Sequence, residues 1–318
     1  MSIMSADFMS RIRVAVAALA LLLPIGVAAA APLQAIEIAA GIYVARGSGG
    51  DITPENAGRI ANTGFVIGPR GVVVVDSGVS FRHGEAIIAA VESVTHRPIR
   101  LVVITHAGQE VLFGAAAFQA RGIPVLMHRD GASLMAARCE TCLRTLTATL
   151  GERTMVGSRV VTPDRIVTTS MTLEVIGRPL RLIAPSHASS PGALAVLDTA
   201  TRTLFAGSFV TIERIPDLRD AEGRPWRQGL ATLASTHCRR LVPTLGRLGT
   251  CADIAALDRY FASLDRRVRD LVAAGTGLAD VASRAEMPEY AAWDGYATLH
   301  AANANRAFLA VERAGFAD

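Results

Sequence analysis

The stretch Val72-Val73-Val74-Val75-Asp76-Ser77-Gly78 decides the architecture. A short β-branched run stopped by an Asp-Ser-Gly turn reads as a strand. Just before it, residues 64–67 have the same character across the turn Gly68-Pro69-Arg70-Gly71, which makes a hairpin. Just after it, residues 82–94 carry a helical period, and the apolar run 101–104 follows and ends at Thr105-His106. Working outward, the same signals place strands at 36–44, 125–127, 173–176, 180–183, 194–197 and 203–205. Helical patterns fall at 132–150, 226–236, 254–274 and 293–313. Hairpins combined with strand–helix–strand units predict an α/β fold, mixed sheets covered by helices. Residues 31–250 form its main domain, and residues 251–318 a helical extension packed on the same domain.

Composition narrows the chemistry. The chain has 318 residues, 51% hydrophobic and 19% charged, with a mean hydropathy of +0.35, which excludes a disordered polymer. All 32 basic residues are arginine. Schiff-base lysine, phosphate-loop lysine and lysine as general base are therefore ruled out. The net charge of +4 is spread along the chain with no basic run interleaved with aromatics, so nucleic acid is not the expected partner.

The N-terminus points outside the cytoplasm. Arg11 and Arg13 precede an apolar run over 14–30 that ends with Ala28 and Ala30 in the positions a signal peptidase reads. Residues 1–30 are read as a secretory signal cleaved before Ala31; an uncleaved anchor is the alternative. The mature protein is expected in the periplasm without stable membrane insertion. Export makes Cys139, Cys142, Cys238 and Cys251 disulfide candidates, with three pairings open. The two local pairs, 139–142 and 238–251, cost least chain entropy to close. A Cys-x-x-Cys also raises thiol redox chemistry, but this one lies inside a helical pattern rather than opening a helix, which favours a structural role.

Several motifs together resemble the metallo-β-lactamase superfamily, αββα sandwiches of zinc hydrolases. They are Asn62-Thr63-Gly64-Phe65, the stretch 72–78, the strand ending Ile104-Thr105-His106, Leu204-Phe205-Ala206-Gly207 and Leu241-Val242-Pro243. Within it, the quinoprotein relay system zinc metallohydrolases are the most similar branch. That likeness rests on Arg97-Pro98-Ile99, on Arg214-Ile215-Pro216 before Trp226, and on a tail with His300, Asn303, Arg306, Phe308 and Glu312.

The resemblance implies a zinc site built from His-x-His-x-Asp-His, a later His, a bridging Asp and a final His. Here the first motif reads His106-Ala107-Gly108-Gln109-Glu110-Val111, keeping His106 and a carboxylate at Glu110. Gly108 and Val111 offer no donor atom. The later histidine is His187 when Pro185 anchors the motif, with Ser189 in its place when Pro191-Gly192 does. Ser208 stands at the bridging aspartate and Leu245 at the last histidine. A divalent ion facing Val111 and Leu245 would lack compensation for its desolvation. Loss of zinc and a non-catalytic binding or accessory role is the leading reading, with a small molecule or periplasmic protein as partner. A mono-metal hydrolase using His106, Glu110 and His187 is the rival, since three protein ligands and a water suffice.

Other residues have plainer expectations. Asp76 resembles the family's structural aspartate. His83, His96 and His237 sit in polar contexts and read as surface residues. His128 reads as a helix-entry residue and His300 as helix packing. Ser189, Ser190 and Ser208 lie outside any nucleophile elbow. The polar stretch 211–227 is expected as a loop over the mouth of the site.

Overall fold

The computed structural model describes residues 33–185 and 187–315; the signal segment expected at 1–30 lies outside them. Where one strand was expected over 36–44, the chain forms a hairpin of β1 (Ile36–Ala39) and β2 (Ile42–Ala45). Gly41 turns it at φ +70°, a conformation glycine adopts without strain. The second hairpin, β3 (Thr63–Gly68) and β4 (Gly71–Val75), is the one read from the sequence. From β4 the sheet continues in parallel through β5 (Ile99–Val103), β6 (Val125–His128) and β7 (Arg165–Val167). Parallel neighbours need crossovers. These are α1 (Phe81–Val94), the short α2 (Gln109–Leu112) and α3 (Ala115–Ala120), then α4 (Arg129–Leu150) and α5 (Glu152–Met155). The sheet runs β1-β2-β3-β4-β5-β6-β7.

A second sheet follows, in the order β12-β11-β10-β9-β8. β8 (Met171–Leu173), β9 (Leu180–Ile183), β10 (Ala195–Asp198) and β11 (Thr203–Ile212) are antiparallel. β12 (Arg240–Gly246) returns parallel to β11 after α6 (Gly223–Ala234). The chain then enters α7 (Ile254–Ala273), α8 (Leu278–Arg284) and, after a π-helical turn at Tyr296–His300, α9 (Ala301–Gly315).

The valine run explains the layering. Side chains alternate across a strand. Val72 and Val74 pack with Ile87, Val91 and Phe118 under the first helical layer. Val73 and Val75 pack with Leu180, Val196 and Phe205 between the two sheets. All four valines are therefore buried, and no polar alternation survives. On the far face of the second sheet, Leu197, Leu204 and Ala206 meet Trp226, Leu257 and Phe308 from α6, α7 and α9. Helices, sheet, sheet, helices: this is the αββα sandwich that the resemblance implies, built from the mixed sheets covered by helices that the pattern predicts. Among the described residues no helix is long and apolar enough to cross a membrane.

Two readings are corrected. His83 is not a surface residue: it is 2% exposed, because α1 sets it one turn before the buried Ile87. Its Nδ1 accepts from Val79 N–H. Burial, together with the Arg59 charge, pushes its pKa down to about 3. The folded state thus keeps His83 neutral where the unfolded chain protonates it near 6.5. Between those values the unfolded state binds more protons, so this group's contribution falls as pH falls. Asp76, raised to about 6, works in the opposite direction over part of that window. The contrast with His83→Gln isolates the histidine. Urea unfolding should show wild type losing about 2 kcal/mol relative to His83→Gln between pH 6.5 and pH 5. Parallel profiles would contradict a neutral buried imidazole.

The second correction concerns the cysteines. Cys238 and Cys251 are bonded, tying the entry of β12 to the turn before α7. Cys139 and Cys142 are free thiols. They occupy successive turns of the uninterrupted α4, with Cys139 buried and Cys142 half-buried. The 238–251 bond closes a loop with a separation of 13 residues. Replacing both with serine should lower unfolding free energy by about 3 kcal/mol in the chain-entropy account. A loss well under about 1 kcal/mol would show that the neighbouring packing holds this corner alone.

Candidate functional site

The carboxyl ends of β4, β5 and β12 converge where both sheets meet the loops, and Asp76 sits at that point. It adopts φ +63° and is 3% exposed. Its carboxylate accepts from Thr105 N–H at 2.8 Å and from the Thr105 hydroxyl at 3.0 Å. The Thr244 hydroxyl, from β12, lies 3.4 Å away. Asp76 thus links strands of the first sheet to the second. Burial raises its pKa to about 6, against the lowering effect of the His106 charge and the Thr105 hydrogen bonds.

His106 follows directly. Its Nδ1 lies 2.9 Å from the Thr105 hydroxyl, which already donates to Asp76. That bond therefore runs from Nδ1–H to the threonine oxygen. Nε2 lies 3.2 Å from Glu110 Oε1. Burial pulls the His106 pKa down, but the hydrogen bond and charge of Glu110, with Asp76 behind, leave it raised. Burial pushes Glu110 the other way, and the His106 bond and charge leave its carboxyl lowered. Both directions describe one ion pair, closed between residues four apart.

The pair faces a cleft of about 670 Å³. Gly108, Ser208 and Leu245 line it, whereas Val111, on α2, is fully buried in the core. A Cβ at position 108 would lie 2.4 Å from His106 Nε2 and 2.7 Å from Glu110 Oε1. A side chain there is incompatible with the His106–Glu110 bond. Two hydroxyls face the same space without partners. Ser190 is 6% and Ser208 8% exposed, and among the described residues neither Oγ has a hydrogen-bond partner. Buried groups of this kind are rare, and a water or a ligand polar group at this position would complete their bonding.

His187 points elsewhere. Its Nε2 lies 2.8 Å from the Asp220 carbonyl, and Nδ1 is 3.9 Å from Glu222. It is not among the residues that line the cleft; Ser189 and Ser190 are. Gly192, at φ +72°, turns the segment against the backbone of Gly131. His106, Glu110 and His187 are therefore not brought together. Among the described residues no three His, Cys, Asp or Glu side chains are gathered as a metal cage. A catalytic zinc takes three protein ligands and a water; the donors here, one histidine and one carboxylate bonded to each other plus serine hydroxyls, do not fit it.

Other wall residues escaped the sequence reading. Leu134, Arg138, Thr141 and Cys142 line the cleft from one face of α4, at spacings of three and four, and Cys139 joins them. That helical spacing was the available signal. Desolvation, reinforced by Cys142, pushes the Cys139 thiol up to about 12, far from the range of a reactive thiolate. Arg214, 6% exposed, is held by Asp294 and the Gly50 carbonyl. The segment after β11 does border the mouth, through Pro216, Asp217 and Asp220, and Asp220 pairs with Arg138 of α4 at 2.5 Å. His128 caps α4 by accepting from Asp130 N–H. His300 is buried between Tyr260 and the Ala285 carbonyl.

A family model described as metallo-beta-lactamase superfamily matches residues 57–270. No curated protein matches the chain. Solved structures resemble it at low identity. A metallo-beta-lactamase from Pontibacter korlensis is 18% identical with a TM-score of 0.57, over 71% of this chain and 97% of that one. The metallo-beta-lactamase from Erythrobacter litoralis with beta mercaptoethanol in its active site is 19% identical, TM-score 0.57, over 72% and 96%. The metallo-beta-lactamase FIM-1 from Pseudomonas aeruginosa, in a mono-zinc form, is 16% identical, TM-score 0.59, over 73% and 95%. At these identities the structures speak for the fold alone.

Proposed function

Given that the chain belongs to the metallo-β-lactamase superfamily, we propose that it is a member that has given up zinc chemistry and acts as a non-catalytic binding or accessory protein. One observation carries the proposal. By the resemblance in sequence, Gly108, Val111, Ser208 and Leu245 fall at the family's metal-ligand positions, while an open cleft lies in front of His106 and Glu110. The cleft binds rather than reacts. Ser190 and Ser208 offer hydrogen bonds, and Ile52, Leu134 and Leu245 supply apolar wall. A small molecule combining oxygen acceptors with apolar surface suits that lining.

The setting is part of the proposal. The order of residues 1–30 and the Cys238–Cys251 bond support export to the periplasm. The motifs around Arg97 and Arg214 support a place beside quinoprotein alcohol oxidation.

A thermal-shift screen with small hydroxylated and carbonyl compounds, with and without supplied zinc, tests the reading. Ala137→Trp, at an exposed position of the cleft wall, narrows the mouth without touching the core. Ligand-induced stabilisation in wild type that disappears in Ala137→Trp, with no turnover, supports a binding cleft. Zinc-dependent hydrolysis abolished in His106→Ala would overturn it in favour of a rearranged mono-metal enzyme.

A further inference from the structure

A second concavity lies on the outer helical layer and meets the His106 cleft at Arg219, which lines both. It is a trough of about 990 Å³ with α7 as its floor and α6 and α9 as its walls. Its floor is apolar and deepened by small residues. Leu230, Phe261, Leu264 and Val311 contribute, and Ala231, Ala255, Ala307 and Ala310 keep it open. Leu309 is 42% exposed on its wall. The rim has the opposite character: among the described residues it sets Arg219, Arg224, Arg227, Arg269, Arg306 and Arg313 against two carboxylates, Asp258 and Asp265. Arg227 is satisfied by Asp258 and Arg269 by Asp265. Arg219 is paired with Asp217 at 3.1 Å, so Arg224 and Arg313 are the rim guanidinium groups that carry no ion pair among the described residues. Among the described residues Arg306 Nη1 is buried with no hydrogen-bond partner, and Asp217, already paired with Arg219, lies 3.8 Å away.

We infer that this trough binds a single-chain amphiphilic anion, an alkyl carboxylate whose chain lies on the α7 floor and whose head group reaches the arginine rim. The volume is at the upper end of the range that holds small ligands. Guanidinium forks are suited to carboxylates, and removal of chain methylenes from water supplies the remaining affinity. Charge decides against the other occupants. The chain carries +4 overall, so a second copy would bring more positive charge to a positive rim. The apolar segment 14–30 enters with Arg11 and Arg13, of the same sign. Nucleic acid would leave the apolar floor uncovered.

Titration with dodecanoate below its micelle concentration, against dodecyltrimethylammonium of equal chain length, tests the inference. One dodecanoate should bind per chain, roughly tenfold or more tighter than the cation. Affinity should rise about fourfold per added methylene from octanoate to dodecanoate. Arg224→Glu/Arg313→Glu, at exposed positions, should cost dodecanoate about tenfold and reverse the preference for head-group charge. Ala231→Trp, also exposed, should block binding with little change in melting temperature. Equal affinity for both head groups, indifference to the charge reversal, or a dimer that closes the trough and dissociates on dilution would each overturn it. None of these results depends on the state of the His106 cleft.

Discussion

Asp76→Ala should be among the most destabilising single substitutions in this protein, lowering unfolding free energy by about 3–5 kcal/mol. The carboxylate is buried and is the common acceptor for Thr105 N–H, the Thr105 hydroxyl and Thr244. Removing it leaves those donors buried without a partner, at about 1–3 kcal/mol each before relaxation. Alanine is also strained at φ +63°, a conformation that aspartate and asparagine tolerate far better. Asp76→Asn should therefore recover more than half of the loss, since its amide oxygen still accepts from Thr105 N–H. Chemical denaturation of both variants measures the difference. Similar losses in the two would show that the negative charge, and not the hydrogen-bond geometry, is what the site needs.

Trp226→Ala should cost about 3–5 kcal/mol by a different mechanism. The indole is fully buried, donates from Nε1–H to the Phe209 carbonyl at 2.8 Å, and packs against Phe261 at 4.9 Å between ring centroids. It fixes α6 to β11 and α7 and also forms part of the cleft wall. Truncation opens a cavity in a layer with no spare side chain to fill it. Trp226→Phe keeps the apolar volume but leaves the Phe209 carbonyl without this donor, and should cost about 1–3 kcal/mol. Equal destabilisation by both variants would place the whole effect in the hydrogen bond.

How much of this was legible depended on which physical rule governed each segment. The run 72–75 was read as a strand because its residue types permit little else, and its burial on both faces explains why it lacks alternation. β11 is longer than the 203–205 read from sequence. It continues through Gly207, at φ +55°, and through register shifts on either side, so Ser208 and Thr211 interrupt the apolar pattern without ending the strand. His83 was misread because Arg82, His83 and Glu85 look polar in a line, whereas a helix sorts them by face.

In the site, Asp76 and His106 were legible because each closely follows a buried strand, one residue after β4 and three after β5, which leaves little freedom in where it is placed. His187 was not, since a loop can aim a side chain either way, and this one bonds Asp220. The cleft wall on α4 was hidden for a related reason: the face of a helix turned toward a cavity mixes Leu134, Arg138, Thr141 and Cys142, and composition alone does not single it out.

The central claim, that zinc chemistry has been lost from a retained scaffold, is tested most directly by metal content. The protein would be purified without chelator, incubated with zinc, desalted and assayed, with His106→Ala alongside. The account predicts well under one zinc per chain in both samples and no change in melting temperature on adding zinc. The retained donors, His106 and Glu110, fall short of the three a catalytic zinc takes. One tightly held zinc per chain in wild type, absent from His106→Ala, would contradict it.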